Sequence, residues 1–281
     1  MMVVKYFNAF RVKEIVPKLG FVFIGCVFAL QEIVLGAIFV ELVVLAVICL
    51  LGGVSIYAFN AYFGWNQDSD NTRLVSLRMI RNKSLYLYLG ITLLVLSISC
   101  AWYLNQNIFY PAVIIFFLWI IYVNPLIAIK GIPSFGILLA IVAQVFHFHL
   151  GYLAFSNFNT SSFLISLFYA FLFGAGHLWH EIIDHDSDRM AGLNTTAVYL
   201  NVRNAKRVFF FIFIGAHLYL GGLFAVEVIS AIMFVPYLIS VLLVVIYWKL
   251  DASIDLFSFR RFYMIVYFLA TSIFIVVRYW M

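Results

Sequence analysis

Charge is scarce in this chain. Only 10% of its 281 residues are Asp, Glu, Lys or Arg, while 66% are apolar, and the mean hydropathy is +1.09. That balance excludes an ordinary soluble domain. Polar stretches reach at most about 25 residues, so no soluble domain sits beside the apolar runs. Cysteine is nearly absent. Cys26, Cys49 and Cys100 stand at unrelated spacings inside apolar runs, which excludes a disulfide framework or a thiolate metal site and leaves them as small buried residues. The chain also lacks a Walker-type phosphate loop, a serine nucleophile motif and a haem motif. No small-residue cleavage pattern follows the first apolar run, so that run reads as retained.

What fills the chain is a series of apolar segments long enough to cross a bilayer as helices. Nine are expected, at about 15–34, 40–62, 85–104, 108–123, 135–155, 162–180, 207–224, 228–248 and 262–280. The expected fold is an all-α integral membrane protein, a single domain over 1–281 built as a bundle of about nine transmembrane helices. The basic residues set its orientation. Of 17 Lys and Arg, 16 lie before the first span or in alternate loops, and Arg278 alone falls on the other side. The N-terminus is therefore expected in the cytoplasm, with the chain in a bacterial inner (plasma) membrane. The net charge of +5 needs no nucleic acid: a basic face meets anionic lipid or an anionic substrate.

Against this background one segment stands out: His180-Glu-Ile-Ile-Asp184-His-Asp-Ser-Asp188-Arg-Met-Ala-Gly192-Leu-Asn-Thr195. Four acids in eight positions close the sixth span. On a continuous helix, Glu181, Asp184 and Asp188 fall at i, i+3 and i+7 on one face, with Asp186 turned elsewhere. Like charges on one face need a cation among them, and hard oxygen donors favour Mg²⁺. The second span ends on a fainter counterpart, Asn60-Ala-Tyr-Phe-Gly64-Trp-Asn66-Gln-Asp68, followed by Arg73, Arg78 and Arg81. Lys130 stands in the turn Tyr122-Val-Asn-Pro125-Leu-Ile-Ala-Ile-Lys130 after the fourth span. Two polar helix ends in two halves predict a central, cytoplasm-facing polar cavity. Mg²⁺ held by carboxylates, with Arg and Lys nearby, suits a diphosphate. Gln144 and His147 share a face inside the fifth span, where they either orient an acceptor or bond between helices. His177 and His180 before the acids also admit a zinc reading, which the surrounding carboxylates disfavour. An ion-coupled transporter is the rival from another class. It calls for polar groups at mid-membrane in both halves, whereas these charges cluster at helix ends.

The motif Asp184-x-x-x-Asp188-Arg-x-x-Gly192-x-x-Thr195 resembles the second aspartate-rich motif of the UbiA-type intramembrane prenyltransferases. Asn60 and Asp68 match the ends of that family's first motif, and Tyr122, Pro125 and Lys130 are similar to its stretch after the fourth helix. The first motif departs from the pattern at Ala61 and Gly64, where the family carries aspartates. The resemblance implies a Mg²⁺-dependent prenyltransferase that ionises an isoprenyl diphosphate and passes the allylic group to an acceptor, aromatic or quinone-precursor. It implies Asp184, Asp188 and Asp68 as catalytic residues. Asn60, Asp68, Glu181, Asp184 and Asp188 would be the metal ligands. The diphosphate would meet Arg73, Arg78, Arg81, Lys130, Arg189 and Asn60, and an acceptor pocket would hold Gln144, His147 and Tyr122. A transmembrane terpene cyclase and a diphosphate-binding pseudoenzyme are the alternatives near this reading.

Overall fold

The computed structural model describes residues 12–30, 35–65, 82–127, 129–250 and 255–280. Those residues form ten α-helices and one 3₁₀ turn, with no strand among them. Helices α1 (Val12–Ala29), α2 (Leu35–Phe63), α3 (Lys83–Leu104), α4 (Gln106–Val123) and α5 (Phe135–Tyr152) make a first compact unit, ending at Phe158. Helices α6 (Thr160–Ile183), α7 (His185–Met190), α8 (Thr196–Ala225), α9 (Ala231–Leu250) and α10 (Leu256–Trp280) make a second, from Asn159 onward. Eight of these helices are long and apolar enough to cross a membrane, and α1 adds a shorter apolar stretch at Leu19–Ala29. The chain is an all-helical, multi-pass membrane protein.

Apolar sequence alone explains the helices, since in hydrocarbon every backbone N–H and C=O must be bonded within its own segment. It does not explain which faces meet, because lipid is as apolar as leucine. In the first unit, small and hydroxyl residues decide it. Gly25 on α1 and Gly151 on α5 let two backbones touch: a Cβ at 25 would run into the Phe148 carbonyl oxygen, and one at 151 into the Val22 carbonyl oxygen. Helices α2 and α3 are joined by two hydroxyls, Ser55 Oγ donating to the Gly90 carbonyl (2.8 Å) and Ser97 Oγ to the Ile48 carbonyl (2.7 Å). In the second unit aromatic rings decide it. Trp179 of α6, fully buried, packs on Phe209, Trp248 and Phe259 and donates Nε1–H to the Leu256 carbonyl at 3.0 Å. Tyr103, Phe211 and Leu218 face outward at 91%, 81% and 73% exposure, as lipid-facing side chains should.

Most expected spans agree with the helices to within a few residues. The seventh does not: α8 starts at Thr196, eleven residues before the expected 207. Hydropathy registers only the apolar part of this helix, and its first turns carry Asn201, Arg203, Asn204, Lys206 and Arg207. The helix also breaks at Asn201, whose φ of 61° and ψ of 161° are not helical. Its Oδ1 accepts from Asn204 N–H at 3.1 Å, so the same residue that stops the first turns caps the rest.

Candidate functional site

The acidic segment is not one continuous helix. Helix α6 stops at Ile183, Asp184 sits at the junction (φ −89°, ψ 4°), and α7 adds a further six residues. This corrects the expectation of one unbroken helix through these acids; Glu181 and Asp188 still lie close enough for each charge to act on the other. The Asp184 carbonyl accepts both the Ser187 hydroxyl and the Asp188 N–H at 2.8 Å, so hydrogen bonding runs on through the junction while the backbone dihedrals depart from helical ones. Helix α7 then ends in a tight C-terminal turn. Gly192, at φ 71°, places its own N–H on the Arg189 carbonyl (3.1 Å) and the next one, of Leu193, on the Asp188 carbonyl (2.9 Å). That pair of bonds defines the Schellman turn, and its left-handed position favours glycine. The Asp-x-x-x-Asp-x-x-x-Gly spacing is thus a short helix and its stop.

Glu181 is placed differently from the other acids. Its side chain is buried, and one carboxylate oxygen accepts the Ala197 N–H at 3.2 Å, with Thr196 bonding to the same carboxylate. Thr195 occupies the N-cap position of α8 without capping it through its own side chain. Glu181, sixteen residues earlier, does that work instead, bringing negative charge to the positive end of the helix. It closes the loop that carries Asp184, Asp186 and Asp188 at both ends. One of the two oxygens of the Glu181 carboxylate, a residue expected among the metal ligands, is therefore engaged by α8.

Each neighbouring histidine leans on an acid: His177 Nε2 lies 3.7 Å from Glu181, His180 Nδ1 3.2 Å from Asp184, and His185 Nδ1 2.8 Å from Asp186. Sequence reasoning weighed His177 and His180 only as zinc ligands. Their i, i+4 spacing to acids was the signal for the pairing. Asp184 is half-exposed, Asp188 is buried, and the Asp186 side chain stands 95% exposed. Arg189 is exposed beside them. Among the described residues no three His, Cys, Asp or Glu side chains converge as a ready-made metal cluster.

In the first unit, Asn60 lies half-buried in the last turn of α2. Just beyond it, Lys83 Nζ sits 4.8 Å over the Tyr62 ring and Trp65 packs on Tyr86, pinning the two ends of the basic loop. Asp68, Arg73, Arg78 and Arg81 lie outside the described residues. Lys130 is exposed in the 3₁₀ turn Ile129–Gly131, and Tyr122 packs edge-on against Trp119. Gln144 and His147 are both buried on α5. The second unit adds a polar chain that sequence reasoning missed. Tyr169 and Tyr237 hydroxyls meet at 2.9 Å and Tyr237 meets Thr271 at 2.8 Å. His217, read as a packed polar residue, bonds through Nε2 to the Tyr267 hydroxyl at 2.6 Å and through Nδ1 to the Phe213 carbonyl at 2.7 Å.

The family model of the UbiA prenyltransferase family matches residues 19–279. This chain belongs to that family. No curated relative matches it. Solved UbiA structures share its fold at low identity. A UbiA homolog from Archaeoglobus fulgidus bound to GPP and Mg²⁺ is 17% identical with a TM-score of 0.70, over 96% of this chain and 99% of that one. The apo UbiA homolog from Aeropyrum pernix K1 is 15% identical with a TM-score of 0.72, over 94% and 98%. A digeranylgeranylglyceryl phosphate synthase is 14% identical with a TM-score of 0.73, over 98% of each chain. The acidic loop from Asp184 to Thr195 falls within the UbiA family match and is the candidate site best built among the described residues.

Proposed function

We propose that the chain is an integral membrane prenyltransferase that moves an isoprenyl group from a prenyl diphosphate to an acceptor with an aromatic ring, dependent on Mg²⁺. The observation that carries this reading is the acidic loop itself, held by the Glu181 cap and the Gly192 turn in a member of the UbiA family. The donor chemistry fits the metal. Asp184 and Asp188 offer hard carboxylate oxygens from one short segment, with no thiolate nearby. They would hold Mg²⁺, with Asn60 and Asp68 of the first motif as the further ligands. When bound, the metal neutralises diphosphate charge and makes pyrophosphate a better leaving group. A solved relative holds GPP together with Mg²⁺, which supports the same pairing here.

This chain's residues do the rest. Arg73, Arg78, Arg81, Lys130 and Arg189 would pair with phosphate oxygens, and guanidinium does so in bidentate fashion. The C1–O bond of the prenyl diphosphate breaks, pyrophosphate departs, a bond forms from C1 to the acceptor, and the acceptor gives up a proton. The loops that carry these groups lie on the cytoplasmic side in the topology that the basic residues support.

Purified protein with Mg²⁺, a labelled prenyl diphosphate and a panel of phenolic acceptors tests the reading. Pyrophosphate release that requires both Mg²⁺ and acceptor is the expected result, with loss on chelation. Release without acceptor would indicate a cyclase. Binding with no release under any condition would indicate a pseudoenzyme, which the missing acids at Ala61 and Gly64 make a specific rival.

A further inference from the structure

The second unit carries six of its eight Lys and Arg at one end, where three helices meet through their rings. Phe210 of α8 lies 4.9 Å from Trp248 of α9, and Trp248 lies 5.3 Å from Phe259 of α10. Lys206 and Arg207 come one turn before Phe210, Lys249 directly follows Trp248, and Arg260 and Arg261 directly follow Phe259; Arg203 completes the set. Two of these cations are already held. Lys206 Nζ sits 5.3 Å over the Trp248 ring, and Arg207 Nη1 donates to Asn204 Oδ1 at 3.1 Å. The stretches 202–207 and 249–261 contain two acids, Asp251 and Asp255, against the six cations. Asp255 spends its Oδ2 on the Ser258 N–H and hydroxyl, at 3.0 and 3.2 Å, capping α10. The excess of positive charge in these stretches is fixed by the sequence itself.

What stands beneath the charges separates a lipid from a soluble anion. Helices α8 and α10 begin at this end and α9 finishes there. Phe211 follows Arg207 by four residues, Ile246 precedes Lys249 by three, and Ile265 follows Arg261 by four. On all three helices a cation therefore has an apolar side chain one turn deeper on its own face. Those apolar side chains are open to the surroundings, at 81%, 51% and 58% exposure. A soluble phosphate leaves that register unused. A phospholipid fills it, with its phosphate among the cations and its acyl chains against the apolar residues. Trp248, set between the two layers, is the kind of ring that anchors a helix at headgroup level.

We propose that this end of α8, α9 and α10 is a binding site for an anionic phospholipid, its phosphate held by the basic side chains and its chains lying along Phe211, Ile246 and Ile265. The site stands apart from the prenyl-transfer reading and does not depend on it. The full chain in a maltoside detergent is titrated with dioctanoylphosphatidylglycerol, with dioctanoylphosphatidylcholine and with glycerol phosphate, the rise in Tm giving each apparent affinity. Lys249→Gln with Arg261→Gln removes two exposed cations from the site. Lys130→Gln with Arg189→Gln removes the same charge from exposed positions outside it. Lys206→Gln with Arg207→Gln is the second site variant should the first not fold. A prenyl diphosphate without Mg²⁺ is added as a competitor.

The expected result is that the wild type binds the phosphatidylglycerol at least about tenfold more tightly than the phosphatidylcholine, and that the site variant loses about tenfold for the phosphatidylglycerol only. Glycerol phosphate gives no shift, because it lacks the chains, and the variant at positions 130 and 189 binds the anionic lipid as the wild type does. Added salt weakens phosphatidylglycerol binding and leaves phosphatidylcholine binding as it was. Equal affinity for the two lipids would overturn the proposal. So would an equal loss in the two charge-matched variants, which would trace the preference to net charge rather than to this site. A shift with glycerol phosphate as large as with the lipid would make the ligand a soluble phosphate. Displacement of the phosphatidylglycerol by the prenyl diphosphate would assign the cations to the substrate instead.

Discussion

At the scale of single residues, the acids of one short segment divide into different jobs according to what surrounds them. Glu181 accepts from the start of α8, so its role is tested by keeping or removing an acceptor rather than a charge. Glu181→Gln retains an oxygen for the Ala197 N–H and should keep most stability. Glu181→Ala leaves that buried donor orphaned and should cost about 1–3 kcal/mol by thermal or denaturant unfolding. A Gln variant that loses as much as the Ala variant would show that the carboxylate charge, not the cap, is what matters. Asp184→Ala and Asp188→Ala should each abolish most Mg²⁺-dependent turnover, while Asp186→Ala, on a side chain open to solvent, should change it little. Retention of full activity in both of the first two would move the metal elsewhere. Replacing Gly192 by Ala forces a Cβ into a left-handed turn and should cost about 1 kcal/mol, measurable as a lower Tm.

At the scale of elements, backbone contact rather than hydrophobicity distinguishes one helix pair from another. A methyl added at Gly151 would meet the Val22 carbonyl, and one at Gly25 the Phe148 carbonyl; neither obstacle is a flexible side chain. Either substitution by Ala should push α1 from α5 and cost about 1–3 kcal/mol or more. Gly215 on α8 has nothing within 4 Å of an added Cβ. Gly215→Ala should therefore be neutral or stabilising by up to about 1 kcal/mol through helix propensity. Unfolding of the three variants in one detergent checks the contrast, and equal effects at all three positions would remove the close-approach account. The split between α6 and α7 belongs to this scale too. Periodicity alone carries a helix through Asp184, because a period of 3.6 contains no information about a local departure of the backbone dihedrals at one residue.

At the scale of the whole chain, two units each hold their own packing, the first through glycine and serine, the second through aromatic rings and a tyrosine chain. The placement of basic residues predicts a cytoplasmic N-terminus, and reporter fusions at both termini check it, with a cytoplasmic C-terminus as the outcome that would reverse the reading. The sequence by itself determined the membrane class, the positions of most spans, and the acidic and glycine residues of the second motif. Each of these depends on local composition or short spacing, which a linear reading registers directly. Only the tertiary structure decided that Glu181 serves a helix sixteen residues away, that α8 begins in polar sequence, that Gln144 lies buried without a partner among the described residues, and that Tyr169, Tyr237 and Thr271 of three helices bond in a row. Those outcomes depend on which faces come together. In an apolar solvent that choice is made by small steric allowances and polar pairings between distant residues, to which hydropathy is blind.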